Sequence, residues 1–143
     1  MAKLHSLIRF KRHELDEKRQ NLAKLNDELE KLKMDRQNLL DNLAREKNLA
    51  AVDIEIARSF GPFLNRTLAK CAELDLDIQN KLREVQAATH VVQDAYLEVK
   101  KLEITQEKSD ETEDNRVKRI EANNLDDMGI ESFRRNQEEN RAV

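Results

Sequence analysis

The chain has 143 residues, a net charge of −3 with both signs mixed, 38% charged residues, 3% aromatic residues and no Trp; this excludes an ordinary globular core rich in bulky side chains and the basic field that nucleic acid requires. No apolar run approaches the roughly 20 residues that cross a bilayer, and Met1-Ala2-Lys3-Leu4-His5-Ser6 lacks the apolar stretch of a signal peptide, so the expected location is the cytoplasm. The single Cys71 excludes an internal disulfide and a cysteine-rich zinc site.

The first predicted element is a long helix over about 4–58, uninterrupted by Gly or Pro. Its apolar residues recur at coiled-coil spacing: Leu4, Ile8, Leu15, Leu22, Leu25, Leu29, Leu32, Leu39, Leu43 and Ala50 form one narrow stripe. The strongest breakers follow, Gly61 and Pro62. Gly61 can take the positive φ that ends a helix, and Pro62 suits the first turn of the next, so the turn is expected at about 59–62.

A second helix is expected over about 63–120, with its stripe at Leu64, Leu68, Cys71, Ile78, Leu82, Val85, Val92, Tyr96 and Val99. Folded antiparallel about that turn, the stripes pair Leu22 with Val99, Leu25 with Tyr96, Leu29 with Val92, Leu39 with Leu82, Leu43 with Ile78 and Ala50 with Cys71. The same pairing sets Lys18 opposite Glu103, Lys11 opposite Asp110 and Arg36 opposite Val85. It also sets Glu46 against Asp75, a like-charge clash that marks either a loosened stretch or a register shift using Leu74 or Leu76. Glu107 to Asp114 carries five acids and one lysine, read as a solvated face. Asn123-Asn124 is expected to end the helix, and a short amphipathic segment over about 124–135, with Leu125, Met128 and Phe133, is expected to order on a partner. The reading is therefore an all-α, antiparallel two-helix coiled-coil hairpin in a single domain over 1–143, a monomer when free, with a short C-terminal amphipathic segment.

No motif for catalysis or cofactor binding accompanies this pattern. There is no glycine-rich phosphate loop, and His5, His13 and His90 lack metal-ligand spacing. Cys71 falls on the apolar stripe, where a buried thiol is inert. The remaining route to function is protein contact, so off-stripe apolar residues matter: Leu49, Ile56, Phe60, Phe63, Leu74 and Leu76 gather in the half near the turn, while Leu76, Arg83, His90 and Leu97 share one outer heptad position.

Two stretches carry a family likeness. Leu7-Ile8-Arg9-Phe10-Lys11-Arg12-His13-Glu14-Leu15-Asp16-Glu17-Lys18-Arg19 resembles the start of flagellar export proteins of the FliJ family, most closely the form found in alphaproteobacteria. Leu125-Asp126-Asp127-Met128-Gly129-Ile130-Glu131-Ser132-Phe133-Arg134-Arg135 is similar to that family's ending. The resemblance implies a non-enzymatic part of the flagellar type III export apparatus, at the inner-membrane base of the flagellum through protein partners alone. Family members resemble the central stalk of rotary ATPases. Their end bearing both termini enters the hexameric export ATPase, and other surfaces meet the membrane export gate and export chaperones. Carried onto this chain, the resemblance points to Arg9, Lys11, Arg12, Phe133, Arg134 and Arg135 for the ATPase, and to Leu49, Ile56, Leu74 and Leu76 for the gate or chaperones. No cofactor is implied. The rival readings from the residues alone are a self-associating coiled-coil scaffold and a general holding chaperone.

Overall fold

A computed structural model describes residues 2–142. It holds two α-helices, α1 (Ala2–Ala50) and α2 (Ile54–Arg141), and no strand among the described residues. The all-α hairpin of two packed helices is the expected fold.

The turn lies at residues 51–53, ahead of the expected 59–62. The last α1 carbonyls are closed by Ala51 N–H on Lys47 O (3.2 Å), Val52 N–H on Leu49 O (3.1 Å) and Asp53 N–H on Leu49 O (3.0 Å). Asp53 then caps α2: its Oδ1 accepts the Glu55 N–H at 2.9 Å, and its own carbonyl accepts the first helical N–H, from Ala57. Gly61 and Pro62 sit inside α2, and no residue among those described takes a positive φ. The expected glycine cap at Gly61 is thereby corrected. A cap satisfies otherwise orphaned N–H groups, whereas an interior proline costs about 3 kcal/mol or more; packing of α2 along its length outweighs that cost here.

The chain divides into two compact units. One runs from Arg9 to Glu98; the other, in its described part, comprises residues 2–8 and 99–142. In the first unit the α1 stripe is as expected, with Leu15 and Leu29 buried and Leu22, Leu25, Leu32, Leu39 and Leu43 half-buried. On α2 the inward line runs through Leu64, Cys71, Ile78, Val85 and Val92 on one side, and Thr67, Leu74, Lys81, Ala88 and Ala95 on the other. Leu68, Leu82 and Tyr96, expected in the seam, lie outside it, 50%, 39% and 43% exposed. Each expected position is one residue too far along the helix: Thr67, Lys81 and Ala95 occupy the seam line expected for Leu68, Leu82 and Tyr96.

Cross-helix ion pairs report the register. Arg36 Nε donates to Asp75 Oδ1 at 2.6 Å, Lys81 Nζ to Glu28 Oε2 at 2.8 Å, and Lys11 Nζ lies 3.4 Å from Glu98 Oε2. The expected partners were Val85 for Arg36 and Asp110 for Lys11, so α2 is displaced along α1 by about eleven residues, roughly 16 Å at the helical rise. The register found places Leu15 across from Ala95, Leu22 from Ala88, Leu25 from Val85, Leu32 from Ile78 and Leu39 from Cys71. It removes the expected clash, since Asp75 meets Arg36 rather than Glu46.

In the second unit Ile8 and Val99 are buried and Leu4 and Leu102 half-buried. Gln106 is also buried. Its Nε2 donates to Asp110 Oδ1 at 2.8 Å, but its Oε1 has no partner. An unsatisfied buried amide oxygen costs about 1–3 kcal/mol, and this one marks where the apolar seam ends. From Asp110 to Ala142 every residue is exposed except half-buried Glu131. The helix does not stop at Asn123-Asn124. It runs through Gly129, whose surroundings are open, to Arg141.

Candidate functional site

What a two-helix packing offers chemically is surface, and the surface falls into distinct patches in each unit. Among the described residues no group of three or more His, Cys, Asp or Glu side chains could hold a metal ion, and no helix is long and apolar enough to cross a membrane.

Consider first the unit from Arg9 to Glu98. At the turn, where α1 ends without a glycine, Leu49, Val52 and Ile54 are 48%, 84% and 74% exposed. Of the residues expected to meet the gate, Leu49 and Leu76 are exposed, while Ile56 is half-buried. Leu74 is half-buried, on the inward line of α2. Val52 and Ile54 escaped the sequence reading because they were placed mid-helix; the Asp53 cap beside them was the available signal. A second patch is the exposed flank Leu68, Leu82 and Tyr96, bordered by Leu76 and Leu97 on the outer face.

Several charged residues of this unit are paired. Lys81, on the seam, reaches out to Glu28 at 2.8 Å and to Glu84 at 2.9 Å. The hydrogen bond to Glu28 holds the Lys81 pKa above its ordinary value, and the same bond holds the Glu28 carboxyl below its own. Of the expected ATPase contacts here, Arg9 and Arg12 are exposed, whereas Lys11 is half-buried. The hydrogen bond from Lys11 to Glu14 (3.3 Å), with the charge of Glu98, raises its pKa.

The other unit presents the long exposed end of α2. Val117, Ile120, Leu125, Met128, Ile130 and Phe133 are all exposed on it. At 100° per residue, Val117, Ile120, Leu125 and Met128 share one face about 140° wide, with Ile130 and Phe133 on the other side. The expected contacts Phe133, Arg134 and Arg135 lie here. Phe133 is 64% exposed, and both arginines converge on Glu131, at 2.9 Å and 3.5 Å. Nearer the seam, Arg116 clasps Glu113 with two hydrogen bonds, of 2.7 and 3.1 Å, which hold that carboxyl below its usual range. Such i,i+3 pairs supply helix stability that no packing partner provides.

No curated protein and no solved structure matches the chain significantly. The family model described as flagellar FliJ protein matches residues 1–138. A match covering all but a few residues, on a fold of two packed helices, places this chain in the FliJ family of flagellar proteins, components related to flagellar export.

Proposed function

We propose that the protein is a stalk and adaptor of the flagellar type III export apparatus, acting by binding and positioning rather than by catalysis. Its partners in this reading are the export ATPase hexamer, the membrane export gate and export chaperones, met at the cytoplasmic face of the flagellar base. The observation that carries it is the family match over residues 1–138, joined to a run from Asp110 to Ala142 that is helical to Arg141 yet nearly bare of packing partners. A helix that exposes Val117, Ile120, Leu125, Met128 and Phe133 is suited to lie against another protein.

Arg9, Lys11 and Arg12 of one unit, and Phe133, Arg134 and Arg135 of the other, are the proposed ATPase contacts. For the gate and chaperones the proposal centres on exposed Leu49 and Leu76 with Ile56, while Leu74 holds the seam behind them. The test mixes the full chain with the flagellar export ATPase and measures ring assembly and ATP turnover. Binding is expected, with assembly promoted and turnover raised; a Phe133→Ala, Arg134→Ala, Arg135→Ala variant is expected to lose most of that effect while keeping its helical content. An ATPase indifferent to the intact chain rejects the stalk reading and leaves the fold untouched.

A further inference from the structure

We propose that the hairpin carries a second register, in which α2 slides along α1 by about eleven residues, the turn moves to Gly61–Pro62, and the exposed flank Leu68–Leu82–Tyr96 enters the seam. This inference does not depend on the export reading.

Three observations converge on it. First, α2 bears two apolar lines side by side. The one in use includes Lys81 and the small Thr67, Ala88 and Ala95, while its neighbour holds Leu68, Leu82 and Tyr96, which remain 39–50% exposed. Second, Gly61 and Pro62 lie inside α2, where they serve no turn. In the second register the proline N, which has no hydrogen to donate, falls at a helix start, where none is needed. Third, each seam has both apolar pairs and a defect. The register observed sets Leu29 opposite Lys81 and Leu22 opposite Ala88. The second sets Leu29 opposite Val92, Leu25 opposite Tyr96 and Leu39 opposite Leu82, but moves Asp75 away from Arg36 and towards Glu46. Each arrangement thus gives up something the other has, which is what a two-state element requires. A slide of eleven residues is about three helical turns, so α2 arrives with a rotation small enough to exchange one apolar line for the adjacent one. Any partner that grips α1 and α2 separately shifts the balance by its differential affinity for the two arrangements.

The test uses disulfide closure in the full chain carrying Cys71→Ser. One variant adds Leu29→Cys and Lys81→Cys, close only in the register observed. A second adds Leu29→Cys and Val92→Cys, close only after the slide; without it those positions are about 16 Å apart along the axis, far beyond the reach of a disulfide. A third adds Leu29→Cys and Leu74→Cys, apart in both. Under mild oxidation the first pair is expected to close fastest and the second measurably, with the third staying open. Adding Pro62→Ala, which removes the break needed at the new tip, is expected to slow closure of the second pair by at least about tenfold while sparing the first. The proposal is overturned if the second pair stays open while the first closes fully, if the third closes as fast as the second, or if Pro62→Ala leaves the second unchanged.

Discussion

The residues from Arg9 to Glu98 and those from Asp110 to Ala142 are alike in being almost wholly helical, yet they are held in different ways. The first stretch has a seam with buried Leu15, Leu29, Cys71, Ala88 and Ala95, and beside ion pairs within each helix it has three that cross between helices, Lys11–Glu98, Arg36–Asp75 and Lys81–Glu28. The second has no buried residue, and the ion pairs Glu113–Arg116 and Glu131 with Arg134 and Arg135 stay within one helix. Cross-helix pairs report the register; pairs within a helix support the helix and leave its faces open. The contrast separates the part of the molecule that specifies a fold from the part available to another protein.

Truncating the seam should break the contrast most severely. Leu29→Ala removes a side chain only 6% exposed and is expected to cost about 2–4 kcal/mol, read as a lower urea midpoint. Leu125→Ala, at a position 68% exposed, should stay within about 0.5 kcal/mol; equal costs would mean that the end of α2 is packed after all. Pro62→Ala follows, with the opposite sign. Since Pro62 is interior to α2, its replacement is expected to raise the unfolding free energy by about 1–3 kcal/mol, whereas a proline at a turn or first helical position would give no such gain. Asp53→Ala should remove the α2 cap on the Glu55 N–H and cost about 1 kcal/mol, with Asp53→Asn restoring most of it.

The smallest effect concerns pH. Bonding to Lys81 lowers the Glu28 pKa from its ordinary 4.5, so the stabilisation from this pair is fully present above that value and is lost as acid carries the solution through the lowered one. In parallel, Lys81, raised above 10.5 by Glu28 and Glu84, keeps its contribution below that value and loses it as alkali titrates the folded form. A Glu28→Gln variant should flatten the acid limb in a thermal-melt series from pH 6 to about pH 3; an unaltered limb would show that the pair contributes nothing.

Much of this architecture can be read from the residues, and the failures have definite causes. The α1 stripe was legible because leucines occupy most of its seam positions from Leu15 to Leu43. The turn was not, because Gly61-Pro62 outshouts a lone Asp53, and propensity is a local signal that packing of a long helix overrides. Once the turn was misplaced, the register followed it. On α2 the assumption that the largest apolar residues face inward chose Leu82 and Tyr96 over Lys81 and Ala95. A warning was present, since the expected clash of Glu46 with Asp75 is relieved by the Arg36–Asp75 pair found. For the surfaces, residue types were legible but exposure was not: Leu74, expected either at a contact surface or in a shifted seam, is half-buried on the inward line, whereas Val52 and Ile54, expected mid-helix, stand exposed at the tip.

The buried sulfur of Cys71 has a practical consequence. It is the only thiol in the chain and is 6% exposed, across the seam from Leu39. A bulky alkylating dye can reach it only when the two helices part locally, so its labelling rate is a native clock for that opening, with no engineered probe. Slower labelling when a partner is added would mean that the partner clamps the hairpin shut, and faster labelling that it pries the helices apart.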